Sequence, residues 1–155
     1  MVNNLNSFYF QKNARYEKVN INSEDDGKLY PIHSIAFSDR HVAAASKETQ
    51  VFRLWTQKLT SPRNFDVGQE FGPIRDLKFS PCGFFIAVAG TCIKVFAVDD
   101  ETSSAELKAP FDKEDETFVG LAFDIGEEKT TVIGMYAITS HGSLWKFSAP
   151  LSVPS

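Results

Sequence analysis

Pro31-Ile32-His33-Ser34-Ile35-Ala36-Phe37-Ser38, Pro73-Ile74-Arg75-Asp76-Leu77-Lys78-Phe79-Ser80 and Thr117-Phe118-Val119-Gly120-Leu121-Ala122-Phe123-Asp124 read as three copies of one segment. The first two begin 42 residues apart, the second and third 44. Each is followed by an apolar run rich in alanine. Each then reaches a segment ending in an aromatic: Phe52-Arg53-Leu54-Trp55, Ile93-Lys94-Val95-Phe96 and Leu144-Trp145-Lys146-Phe147.

A period in the low forties with several short strands per unit marks a β-propeller array. The expected fold is therefore all-β: a partial propeller of about three four-stranded blades, with a remnant of a preceding blade at its N-terminus. The units fall at about 31–72, 73–116 and 117–148, after the remnant at 1–30 and before a frayed tail at 149–155. Three units are fewer than most closed propellers use, and only closure removes exposed sheet edges. Further blades are expected to complete the ring. The 14 Phe residues agree with sheet rather than helix, since aromatics suit pleated, half-buried surfaces.

Within the first unit, residues 32–37 form the first strand, with His33, Ile35 and Phe37 on one face by the period of two. Residues 41–46 hold three consecutive alanines, small enough for the crowded inner part of a propeller. Residues 50–55 return, and 64–67 make an outer strand. In the second unit, Ser80-Pro81-Cys82-Gly83 is a turn, with Pro presetting φ and Gly relieving strain. Residues 84–89 are apolar on both faces, as a strand packed on both sides requires. Gly90-Thr91 turns the chain into 92–98; 99–104 reads as loop and 106–109 as the fourth strand. The third unit has strands at 118–123, 132–139 and 144–148, an insertion at 125–130, and no outer strand. Phe79 and Phe123 take equivalent inward positions.

A net charge of −4 offers no general attraction for phosphate backbones or anionic membranes. Nucleic acid is not an expected partner, although Arg53, Lys94 and Lys146 recur on the third strands. The longest apolar run, 84–89, is far short of a membrane span. No signal peptide stands at the N-terminus, so the chain reads as soluble and intracellular. Cys82 and Cys92 make neither a disulfide framework nor a four-ligand metal set. His33, His41 and His141 lack ligand spacing. Ser38, Asp39 and His41 hold the residue types of a hydrolytic triad, but such triads assemble from separate segments, and adjacency argues for a polar turn. No catalytic residue, metal site or cofactor is expected.

The units resemble WD repeats: a first strand ending Phe-Ser, a Ser-Pro-x-Gly turn, a small-residue second strand and a third strand ending Leu-Trp. Leu54-Trp55 is followed by Thr56 rather than Asp, and Phe96 takes the Trp position. Where WD repeats usually place a structural Asp, unit one has Glu48 and unit three His141. Residues 30–148 are most similar to the C-terminal propeller blades of the pre-mRNA-processing factor nineteen family, splicing-associated U-box ubiquitin ligases. That similarity rests on Pro31 to Ser38, on Phe52 to Trp55, on Lys58-Leu59 with Asn64-Phe65, and on Leu144 to Phe147. Its most specific part is the short hairpin Ile86-Ala87-Val88-Ala89-Gly90-Thr91-Cys92-Ile93-Lys94-Val95-Phe96, preceded by Arg75-Asp76-Leu77. The resemblance implies a nuclear docking scaffold for splicing-complex subunits or ubiquitination substrates. The ligase chemistry itself would reside in a U-box, and no U-box is in this chain.

The expected function is protein interaction. A WD adaptor of another pathway, an RNA-binding propeller and a propeller enzyme are the other classes. In a propeller, the turns between second and third strands share one face with the loops leading into first strands. That places Lys47, Glu48, Phe71 and His141 together as candidate partner-binding residues. Phe71 reads equally as an exposed hot spot or as a plug between two blades.

Overall fold

A computed structural model describes residues 32–46, 48–111, 113–124 and 132–150. The expected remnant at 1–30 lies outside these residues, as do Lys47 and the insertion at 125–130. The described residues form three antiparallel sheets and no α-helix. The first sheet runs β1 (Ile32–Phe37), β2 (His41–Ser46), β3 (Val51–Thr56) and β4 (Arg63–Asp66) in simple order. A 3-10 turn at Gln69–Phe71 leads to the second sheet. That sheet holds β5 (Asp76–Phe79), β6 (Phe85–Ala89), β7 (Ile93–Ala97) and β8 (Asp100–Leu107). The third holds β9 (Phe118–Phe123), β10 (Val132–Thr139) and β11 (Leu144–Pro150).

The register confirms the repeat. Ile35 pairs with Ala44, Leu77 with Val88, and Leu121 with Ala137. The Ser80–Gly83 turn closes by a bond from the Gly83 N–H to the Ser80 carbonyl at 2.9 Å. Gly83 has φ +76°, a conformation that side chains with a Cβ resist. Every residue of β6 is buried, as a strand covered on both faces should be.

Two apolar seams hold the sheets face to face. In the first, Phe52, Leu54, Phe65 and Val67 meet Leu77, Ile86, Val88 and Phe96. The Phe52 and Phe65 rings stack at 4.7 Å, and Phe96 meets both edge-on at 5.5 and 5.6 Å. Burying each ring contributes on the order of 1.5–3 kcal/mol. In the second seam, Phe85, Ala87, Ala89, Ile93 and Val95 meet Phe118, Leu121, Met135 and Ala137. Phe111, Trp145 and Phe147 pack against its edge.

Hydrogen bonds cross both seams. The Thr91 N–H donates to the Phe71 carbonyl at 3.2 Å, and the Phe118 N–H to the Gly90 carbonyl at 2.8 Å. The Leu121 N–H reaches the Asp76 carboxylate at 2.9 Å. The Arg63 guanidinium donates to the Val98 carbonyl.

Several expectations need correction. Residues 99–104 are not a loop: most belong to β8, whose side chains are exposed up to Glu106. A solvated edge strand carries no apolar signal, so its polar sequence resembles loop. Pairing in β1 slips between Ile32 and Ser34, which takes His33 out of the alternation with Ile35 and Phe37. Phe79 and Phe123 are equivalent but only partly buried, each lying at the margin of its seam. Strand β11 runs on to Pro150, two residues beyond the expected end. The third sheet is three-stranded among the described residues, in agreement with the outer strand that its unit is read to lack.

Candidate docking face

One end of the stack gathers the loops between second and third strands with those leading into first strands. Hydrogen bonds join them across sheets. Gln50 Nε2 donates to the Gln69 carbonyl at 3.2 Å, and Thr91 Oγ1 to the Phe71 carbonyl at 3.0 Å. In the third sheet, the Ser140 N–H donates to the Thr117 carbonyl at 2.9 Å. The Thr117 N–H returns to Ser140 Oγ at 3.1 Å.

Phe71 is the plug rather than the exposed anchor. It is 3% exposed, and its ring lies on Gly90 so closely that a Cβ there would come within 2.4 Å. Only glycine permits this approach. Glu48 is exposed, and its N–H donates to Ser46 Oγ at 3.1 Å. His141 is exposed on the third-sheet turn, with Nε2 3.1 Å from Asp115 Oδ1. Lys47 lies outside the described residues.

Beneath this network is a buried pair that sequence reading missed. Thr139 Oγ1 donates to Glu116 Oε1 at 2.6 Å, with Glu116 8% and Thr139 4% exposed. Thr139 Oγ1 also accepts the Ser143 N–H at 3.1 Å. The third sheet is thus braced through side chains. Glu116 stands two residues before the unit's first strand and Thr139 at the end of its second, positions that carry no mark of burial in the sequence.

At the same end a groove of about 440 Å³ lies between the 67–71 connector and the second sheet. Gln69, Glu70 and Phe71 form one side; Lys94, Glu106 and Lys108 form the other. Lys94 Nζ donates to the Val67 carbonyl at 2.7 Å and lies 3.5 Å from Glu106 Oε1. Lys108 Nζ is 3.4 Å from Glu106 Oε2. Hydrogen bonding and charge from Lys108, with a smaller part from Lys94, lower the Glu106 pKa. Cys92 lines the same groove. Burial, then the charge of Glu106, raises its thiol pKa, which keeps it protonated and poorly nucleophilic. Both cysteines are free thiols.

The three basic residues of the third strands do not make one stripe. Arg53 and Lys94 take the same register, opposite Ala44 and Val88, whereas Lys146 stands opposite Tyr136. Lys146 therefore points to the other face of its sheet, over the Tyr136 ring at 5.6 Å. Arg53 Nε donates to Asn64 Oδ1 at 2.9 Å. Ser38 Oγ accepts the His41 N–H at 3.1 Å, so Ser38, Asp39 and His41 belong to a polar turn. Among the described residues no group of His, Cys, Asp and Glu has the arrangement of a metal site. No described helix is long and apolar enough to cross a membrane.

No protein-family model matches the chain, and no curated protein matches it in sequence. Solved structures do match in shape. The structure of YCF48 bound to D1 peptide superposes with a TM-score of 0.55 and 15% identity, over 78% of this chain and 38% of that one. A streptogramin B lyase structure superposes with a TM-score of 0.53 and 16% identity, over 77% of this chain and 41% of that one. Both are β-propellers. The chain is part of a propeller fold. It spans about two fifths of the length of either neighbour, and identities this low speak to fold alone.

Proposed function

We propose that this chain is a protein-interaction module that docks a partner on the loop-bearing end of its blade stack. The observation that carries the reading is the groove between the 67–71 connector and the second blade. Its walls offer an amide and a carboxylate from the connector on one side, and ammonium groups and a carboxylate from β7, β8 and Lys108 on the other. Recognition commonly resides in loops on such a scaffold. The YCF48 neighbour, another propeller, was solved bound to a peptide, which supports a polypeptide as the kind of partner. Glu70 lines the groove, and Glu48 and His141 are exposed on other turns of the loop-bearing end. Phe71 acts from below, by setting the shape of the 68–72 loop.

In its finer form, the proposal is a docking part of a spliceosome-associated ubiquitin ligase, working in the nucleus. The support is the resemblance of residues 30–148 to the pre-mRNA-processing factor nineteen family, above all in the short hairpin at 86–96. A WD adaptor of another pathway uses the same face, and the identity of the captured proteins separates the two readings.

The test is capture from nuclear extract by the immobilised chain and by Glu48→Lys and Glu70→Lys variants. The expected result is enrichment of splicing-complex subunits, with about tenfold weaker capture by the double variant, or about 1.4 kcal/mol. Its melting temperature should not change. Undiminished capture, or loss accompanied by unfolding, overturns the assignment of this face.

A further inference from the structure

We infer that the groove selects a cationic side chain: the docked segment of the partner sets an arginine or lysine against Glu70 and Gln69. The inference rests on the docking reading above and names what that face selects. It follows from which polar groups of the groove are already engaged and which are not. On the sheet wall the charges are engaged with one another. Lys94 Nζ donates to the Val67 carbonyl at 2.7 Å and lies 3.5 Å from Glu106 Oε1. Lys108 Nζ lies 3.4 Å from Glu106 Oε2. One carboxylate thus sits between two ammonium groups. Thr91 Oγ1 is taken up by the Glu70 and Phe71 carbonyls, at 3.4 and 3.0 Å.

On the connector wall the backbone is fixed and the side chains are open. The Gln69 carbonyl accepts from Gln50 Nε2 at 3.2 Å, and the Gly68 N–H donates to Asp66 Oδ1 at 2.8 Å. The buried Phe71 ring anchors the end of the turn. Among the described residues the Gln69 amide and the Glu70 carboxylate have no partner, and both residues are exposed. They are neighbours on one 3-10 turn and line the groove together. Open acceptors on a fixed backbone are preorganised for a ligand, because little ordering entropy remains to be lost on binding. A carboxylate accepts from an ammonium, or from a guanidinium through two parallel N–H groups, and the amide oxygen adds a further acceptor.

A carboxylate from the partner fits this groove poorly. It would compete with Glu106 for both lysines, and it would approach a chain of net charge −4. The same net charge draws a cation toward the face. An apolar segment would strip water from Glu70 and Gln69 and give them no partner in return, which is costly. Lys94 is turned to the Val67 carbonyl, so Lys108 is the ammonium that opposes an entering cation. It directs that cation to the connector side of the groove.

Panning a phage-displayed library of random peptides on the 155-residue chain tests this. Enriched peptides are then synthesised and their binding measured by fluorescence polarisation. The expected result is a shared Arg or Lys. Replacing it by norleucine and making Glu70→Gln should each weaken binding about tenfold, and both together little more than either, because they remove one contact. A peptide with Glu at that position should bind Glu70→Lys better than the parent. Lys108→Gln should tighten binding of the basic peptide; an acidic ligand would be weakened by the same change. Far-UV circular dichroism should be unchanged in each variant, since Glu70 and Lys108 are exposed. An acidic or wholly apolar consensus overturns the inference and leaves the docking reading standing. Basic peptides that bind Glu70→Gln as tightly as the parent also overturn it, because net charge alone then accounts for them. No enrichment on the parent chain removes the docking reading and the inference together.

Discussion

Gly90→Ala puts the packing of Phe71 to a direct test. Ordinary contacts begin at 3.4 Å, whereas an added Cβ would lie 2.4 Å from Phe71 Cε1 and 2.9 Å from Cδ1 and Cζ. An intrusion of about 1 Å into a buried ring cannot be absorbed by a small rotation, because packed interiors have little free space. Either Phe71 leaves its seat or the hairpin shifts. A hairpin shift would strain the bonds from Thr91 to Phe71 and from Phe118 to Gly90. Overpacking of this kind costs about 1–3 kcal/mol. For a chain of this length each kcal/mol lowers the melting point by roughly 2–4 °C. Phe71→Ala alone should cost about 3–5 kcal/mol, the usual range for a buried Phe. In the double variant the alanine at 90 enters space the ring has vacated. Its penalty should largely vanish, giving a coupling of at least about 1 kcal/mol, within the range known for contacting pairs. Urea melts of the four proteins measure the cycle. Strict additivity, or a Gly90→Ala variant as stable as the parent, would refute the seating of Phe71 on Gly90.

Other outcomes follow from the seams. Phe52→Ala should cost about 3–5 kcal/mol, whereas Phe37→Ala should stay within about 0.5 kcal/mol, as denaturant melts of both will show. Asp76→Ala removes acceptors for the Leu77 and Leu121 N–H groups, and should cost about 1–3 kcal/mol. Asp76→Asn keeps an acceptor oxygen and should cost less in the same assay. Burial, and then the charge of Arg63, hold the His41 pKa below its ordinary 6.5. A depressed histidine pKa means that stability is fully present above about pH 6.5 and falls as pH drops through the folded value. Thermal melts from pH 7.5 to pH 5 should show this loss, and His41→Gln should reduce it.

The sequence exposed most of the fold because the repeat is carried by buried positions. Leu77 and Leu121 stand in equivalent seam positions, and selection for packing keeps such residues apolar. The sequence places the fourth strand at 106–109 and conceals its start at Asp100, because solvent covers its outer side: Thr102, Ser103 and Ser104 bury nothing that would mark them as strand. The candidate site was legible only in outline. Glu48 and His141 lie on the loop-bearing end as their turn positions implied. The role of Phe71 depended on whether Gly90 lay beneath its ring, a contact between residues 19 apart in sequence. The groove walls depended on β8, which sets Glu106 against Lys94. Without its register against β7 the ion pairs could not be read. The Glu116–Thr139 pair spans 23 residues, and neither residue type announces burial.

The account depends on the three sheets forming one stack, since only then do their loops make a single face. Residue-resolved amide exchange at Thr91, Phe118 and Leu121 measures this most directly. The Phe118 and Leu121 N–H groups bond across the second seam, to Gly90 and Asp76, and the Thr91 N–H bonds to Phe71 in the connector that joins the first two sheets. Stacked blades predict that all three exchange as slowly as amides in the central strands β6 and β10, and that Asp76→Ala speeds Leu121. Rapid exchange at these three amides, with the central strands still protected, would show sheets that fold but do not stack, and would contradict the account.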